Sequence, residues 1–354
     1  MSRLLPSLRA ALPAGLSLLT FAGALASETA VVGALDLGVP AGKTAALGFP
    51  FRSARSRSGD TGVITAVGAD YFEDSRAAWP AGAFSVADTP CFVRLTSGPY
   101  AGTLFRVAPT PNTATRVRVY ADANGLTPDS IALGLAPGDT FEIVPGATLM
   151  SLFGADLLHG GSTAAASDTV SVWGGGAFLV FYYNTVRNRW ERDIDTAASQ
   201  SRDDYALSPD SGLMIRNRGA NTLTITSMGQ VAATDTPVRL QQPGSTLVPL
   251  NSPLDTTLGE LGAQTPGRTF DWIGSDDAVA AVTKADLIQV WNGAAWDSYY
   301  YDTARSGWRR LKDTSGASAD GVVLKAGTAI FVRRVRAATS PENRVIYLRA
   351  PHAG

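Results

Sequence analysis

Apolar and polar residues alternate in short runs along most of this chain. Gly62-Val63-Ile64-Thr65-Ala66-Val67, Cys91 to Leu95, Leu104-Phe105-Arg106-Val107, Thr115 to Tyr120 and Thr140 to Val144 are separated by Gly, Pro, Asn and Asp. A period of two bounded by turn residues predicts half-buried strands. Their spacing predicts a small β-barrel or sandwich over residues 27–147. Helices are expected to be few, with Thr148 to Phe153, Thr257 to Leu261 and Pro128 to Leu133 as single turns.

A second pattern is internal. Trp173 to Arg192 (WGGGAFLVFYYNTVRNRWER) aligns without gaps on Trp291 to Arg310 (WNGAAWDSYYYDTARSGWRR), with nine of twenty positions identical. Similar Thr-Leu segments precede both copies at Thr148 and Thr257, and a strand ending in arginines follows each, at Leu213 to Arg218 and Ala329 to Arg334. The repeat is the size of a domain rather than of a solenoid unit. Each copy reads as a three-stranded antiparallel meander. In the second, Asn292-Gly293 has the sequence of a type I′ hairpin turn and Ser306-Gly307 turns the chain again. Alternation puts Tyr299 and Tyr301 on one face and Tyr300 on the other. The expected fold is therefore all-β: a barrel or sandwich at 27–147, then two homologous antiparallel β domains at 148–250 and 251–354.

The first 26 residues read as a secretory leader. Arg3 and Arg9 precede and enter an apolar stretch, and Ala24-Leu25-Ala26 has the small-residue form of a cleavage site. No later apolar run reaches membrane-spanning length, so a membrane-spanning body is not expected. The expected location is outside the cytoplasm: periplasm, cell surface or medium.

Composition narrows the function. Of 354 residues 45% are apolar and 17% charged, with 36 Gly, 20 Pro and a net charge of −1. Wholesale disorder is excluded. A balanced charge without a Lys/Arg cluster argues against nucleic acid as a partner. The single cysteine, Cys91, rules out an intrachain disulfide framework and reads as a buried strand residue.

Signatures of catalysis fail on context. Gly38 to Thr44 is one residue short of a phosphate-binding loop, and no H-E-x-x-H or G-x-S-x-G occurs. His159 and His352 are the two histidines, with no evident triad partner. The acid pairs Asp193/Asp195, Asp203/Asp204 and Asp276/Asp277 sit in turn-like sequence, where Asp has ordinary local roles. Asp122-Ala123-Asn124-Gly125 with Asp129 lacks the ligand pattern of a calcium loop. No catalytic residue, metal site or cofactor is expected. The repeat aromatics remain, as core or as a surface for flat ligands such as sugar rings. The candidate ligand-binding residues are Trp173, Tyr182, Trp291, Trp296 and Tyr300.

Several segments carry a resemblance. Ser97-Gly98 with Ala101-Gly102 and Phe105, Asn112 to Thr115, Gly138 to Ile143 leading into Thr148-Leu149, and Tyr299 to Asp302 with Gly307 to Arg310 resemble an uncharacterised family of exported β-rich proteins of Verrucomicrobia-type bacteria. The likeness spans nearly the whole chain after the leader and implies export without an established activity or site. Copy A departs from it where Trp190-Glu191-Arg192 replaces the usual Trp-Arg. The leading expectation is a non-enzymatic protein with a structural or interaction role. A carbohydrate-binding module using the repeat aromatics is the alternative, and a hydrolase with loop carboxylates the third reading. Self-association and an extracellular polysaccharide are the partners to consider.

Overall fold

In the computed structural model the described residues are 32–49, 61–86, 89–122, 125–232, 235–261, 272–313, 315–335 and 345–348. The leader expected at 1–26 lies outside them, as does His352. The architecture is all-β, built from antiparallel sheets with a few short helices. None of the sheets among the described residues closes into a barrel.

The two copies of the repeat form two five-stranded sheets of the same strand order. In repeat A the order is Arg189–Arg192, Phe178–Asn184, Thr169–Trp173, Leu213–Arg216, Thr44–Leu47. In repeat B it is Gly307–Arg310, Trp296–Asp302, Leu287–Trp291, Ala329–Arg334, Gly244–Pro249. Register is shared as well. Val170 pairs with Phe181 and Ile215, while Ile288 pairs with Tyr299 and Val332. Leu213 pairs with Val172 and Leu47, while Ile330 pairs with Val290 and Val248. A one-residue slip would swap the faces of every side chain, so the repeated aromatic spacing holds both copies in one register.

The equivalence extends beyond the meander. A ribbon of Val32–Val39 with Leu223–Gln230 lies against repeat A, and Thr236–Arg239 with Val345–Leu348 takes that place in repeat B. Each core is enclosed between sheet and ribbon. Leu37, Val39 and Ile225 meet Val170, Phe181 and Trp190 in one; Val238, Leu240 and Ile346 meet Ile288, Tyr299 and Trp308 in the other.

The first strands of each repeat thus lie far upstream of the duplicated motif. The boundaries expected at 147 and 250 divide elements that the sheets join. Thr44–Leu47 pairs within repeat A, and Gly244–Pro249 within repeat B. Residues 61–145 form an insertion in repeat A between Thr44–Leu47 and the short strand Ala147–Thr148. In repeat B the same connection runs directly from Pro249 to Thr256–Thr257. The insertion has its own core, with Phe72, Phe105, Phe141, Val93 and Leu95 buried between a five-stranded and a three-stranded sheet. Cys91 is half-buried against it. A buried ion pair bolts the insertion to repeat A: Arg94 donates through Nε to Asp210 at 3.0 Å, pairs it again through Nη2, and reaches Glu142 at 2.6 Å.

Local details follow from residue chemistry. The helix Leu149–Phe153 starts at Thr148, whose hydroxyl accepts from Ser151 N. No helix forms at Thr257 to Leu261: Thr257 ends a two-residue strand and the rest is turn. The hairpin expected to centre on Asn292-Gly293 instead centres one residue later. Asn292 accepts through Oδ1 from Ala294 N and Ala295 N, and Gly293 takes the positive φ of +97°. The Asn side chain competes for backbone donors and shifts the reversal. One helix was not foreseen, Ala278–Lys284, capped by Asp277 through Val279 N.

Trp190 and Trp308 open the edge strand of their sheets and are 0% and 1% exposed. Asp203 Oδ1 accepts the Trp190 main-chain N–H, and Asp320 Oδ1 that of Trp308, both at 2.8 Å. These carboxylates occupy edge donors that would otherwise offer pairing to another chain. Truncating Trp308 to Ala should cost about 3–5 kcal/mol. A clear fall in melting temperature is the expected result; a variant that melts like the parent contradicts this packing.

Candidate functional site

The repeat aromatics converge where the two five-stranded sheets meet. Ala46, Met214, Leu247, Ala329 and Phe331 are buried there, and Trp173, Phe178, Trp291 and Trp296 pack around them. Phe331 is the hub, 4.9 Å from Trp173, 5.9 Å from Phe178 and 4.8 Å from Trp296 between ring centroids. The indoles are tied reciprocally. Trp173 Nε1 of repeat A donates to Ser245 O of repeat B at 2.8 Å, and Trp291 Nε1 of repeat B donates to Thr44 O of repeat A at 2.7 Å. Thr44 and Ser245 hold equivalent places in the two edge strands, so the contact has local two-fold character. Of the five candidate ligand-binding aromatics, Trp173, Trp291 and Trp296 are half-buried in this junction. Tyr182 and Tyr300 are buried elsewhere, 5% and 3% exposed.

Those two tyrosines mark a buried charge cluster in each copy. In repeat A, Glu191 is fully buried and accepts from Arg187 at 2.7 Å, Arg189 at 2.8 Å, Asn184 Nδ2 at 2.8 Å and the Tyr182 hydroxyl at 3.1 Å. Burial works to raise its carboxyl, but these donors outweigh burial and hold it at about 2. In repeat B the carboxylate moves to the neighbouring strand. Asp302 replaces Asn184 and Arg309 replaces Glu191; Asp302 pairs Arg305 at 2.8 Å and lies 3.7 Å from Arg309. Burial pushes Asp302 upward, and the Arg305 and main-chain donors override it and lower its pKa. Asn184 Oδ1 and Asp302 Oδ1 both accept from the main-chain N–H groups two and three residues on, so the turn survives the exchange. Glu191 of copy A is thus the anion of this cluster.

The outer face of repeat A holds an open pocket. It lies beside the junction and has a volume of about 520 Å³. Its floor includes Phe178, Val180 and Met214; Thr44, Thr169 and Ser171 supply hydroxyls, and Arg216, Arg218 and Asp193 supply charge. Arg216 and Arg218 are exposed, and neither forms an ion pair among the described residues. Arg216 reaches only Thr44 Oγ1, at 3.4 Å.

Other sequence candidates resolve into local roles. Asp195 pairs Arg202, Asp203 and Asp277 serve as caps, and His159 is exposed beside Asp168, which accepts its main-chain N–H at 2.9 Å. Gly38 to Thr44 spans the end of one strand and a turn into the next, with no helix after it. Among the described residues no cluster of His, Cys, Asp and Glu could hold a metal, and no helix is long and apolar enough to cross a membrane. The pocket escaped sequence reading because its residues come from distant strands; the polar Thr169 and Asp193 opposite apolar Leu287 and Leu311 of copy B were the available signal. No protein-family model matches the chain, and no curated protein or solved structure is significantly similar to it.

Two predictions follow from these geometries. Trp173→Phe and Trp291→Phe each remove one indole hydrogen bond and should each destabilise by about 1 kcal/mol in urea denaturation; unequal losses would contradict the two-fold junction. Glu191 has a folded pKa below its unfolded value, so its stabilisation is present above about 4.5 and lost as pH falls towards about 2. Denaturation between pH 2 and 6 should therefore show a steeper acid dependence in the parent than in Glu191→Gln.

Proposed function

We propose that the chain is an exported, non-enzymatic β-protein with a structural or interaction role at the cell surface or in the periplasm, akin to the exported Verrucomicrobia-type proteins its motifs resemble. The observation that carries this reading is the reciprocal indole junction. It ties two homologous sheets together through reciprocal contacts, as a scaffold requires, and leaves a polar pocket on one outer face. The leader sequence supports export. A carbohydrate-binding module acting through Trp173, Tyr182, Trp291, Trp296 and Tyr300 draws less support, because those rings are packed or half-covered. The hydrolase reading draws less still, since Asp195, Asp203 and Asp277 hold guanidinium or main-chain donors.

Fractionation of the native cells with an antibody to residues 27–354, combined with turnover assays on a polysaccharide panel, tests the proposal. The expected outcome is recovery outside the cytoplasm and no turnover. Cytoplasmic recovery, or hydrolysis abolished by Asp193→Asn or Asp276→Asn, would overturn it.

A further inference from the structure

The duplication supplies an internal control for the pocket of repeat A. In repeat B the same sheet face is covered by the helix Ala278–Lys284. Its Ala281 and the following Ala285 pack on Leu287 and Tyr300, with Leu311 beside them. Arg333 stands where Arg216 stands in repeat A, and it donates to the main-chain oxygens of Val282 and Ala285 at the end of that helix. Gln289 also bridges to Ser298 across the face at 3.0 Å.

Repeat A lacks each of these covers. Asp168 and Asp286 clamp the same loop in the two copies, but the loop closes over nine residues from His159 and over thirteen from Ile273. The shorter loop carries only the single turn Ala164–Ala166. Thr169 replaces Leu287, Asp193 replaces Leu311, and Ser171 with Val180 replaces the Gln289–Ser298 bridge. A second guanidinium, Arg218, stands in place of Val335. The shorter loop that carries no such helix is thus accompanied by substitutions that make the face beneath it polar and cationic.

We infer that this pocket binds an acidic sugar, one or two rings in size, whose carboxylate pairs with Arg216 and Arg218. In repeat B the matching arginine is satisfied by oxygen acceptors from its own chain; in repeat A the ligand supplies them. Two guanidiniums against the single carboxylate of Asp193 favour an anion, and planar guanidinium matches carboxylate geometry. The volume suits a small ligand. Hydroxyls of Thr44, Thr169 and Ser171 beside the apolar Phe178 and Val180 match a ring with polar edges and an apolar face. A peptide fits less well, because this is a sheet face whose main-chain groups are already paired in the ladder.

The inference deepens the interaction reading, and its test is independent of location and turnover. Calorimetric titration of residues 27–354 with galacturonate and digalacturonate is compared with galactose and with a Glu-rich peptide. Galacturonate or its dimer should bind roughly tenfold tighter than galactose, the factor carried by one charge-assisted hydrogen bond. Arg216→Gln with Arg218→Gln should remove that preference with the melting temperature unchanged, since both side chains are exposed. Ser171→Gln, which brings in the bulkier residue of repeat B, should weaken binding independently. Absence of uronate binding, equal binding of galactose, an unaffected arginine variant, or binding of the peptide alone would each overturn the inference.

Discussion

An indole N–H removed from water must find an acceptor, and the whole arrangement of this protein turns on where two of them find it. Trp173 and Trp291 each reach across to a carbonyl on the outermost strand of the other repeat's sheet. That single solution buries the aromatic side chains, engages strands that would otherwise be free edges, and fixes the mutual orientation of the sheets. The main chain reinforces it: Gly48 donates to Gly327 O at 2.8 Å and Gly212 to Leu247 O at 3.3 Å. Gly212 is required there, because a Cβ would lie 2.6 Å from that of Ala329.

Within this frame the copies have diverged by compensated exchanges. The buried anion sits on the third meander strand in repeat A, as Glu191, and on the second in repeat B, as Asp302. An isolated buried charge is costly, so neither position could change alone without leaving a guanidinium or carboxylate unpaired. The charge moved by one strand while the turn-forming oxygen at 184 and 302 stayed. The outer face followed a different course, in which one copy kept an apolar surface under its own helix and the other became polar and open.

What the sequence revealed depended on whether the determining contacts were local. The meander and the opposite faces of Tyr299 and Tyr300 are legible because adjacent strands and period-two alternation encode them, whereas the register of the hairpin after Trp291 is not, since the Asn292 side chain moves the reversal. Thr44–Leu47 was not assigned to repeat A because its partner is about 170 residues away, and Thr-Ala-Ala-Leu shows no likeness to Ser-Thr-Leu-Val at 245–248. Ala278–Lys284 is hard to see in the sequence because an Asp such as Asp277 suits a turn as well as the cap of an Ala-rich helix. The clustering of the aromatics in the repeat is legible in the sequence, but the placement of Trp173, Trp291 and Trp296 in a junction between repeats depends on tertiary packing that spacing does not reveal.

Placing residues 61–145 inside repeat A also sets the order in which the chain can assemble. The contact between Thr44 and Arg216 closes a span of 172 residues, so the opening strands are synthesised long before their partners exist. The contiguous insertion can collapse on itself meanwhile, and repeat B, with its elements nearly consecutive, needs shorter closures. Repeat A can close only once Leu213–Arg216 and Leu223–Gln230 have been made, so its early strands wait without partners for about half of synthesis, and repeat B follows when Ala329–Arg334 and Val345–Leu348 appear. A chain built this way depends on the insertion folding first, because a compact insertion draws residues 47 and 147 together and shortens the loop that repeat A has to close.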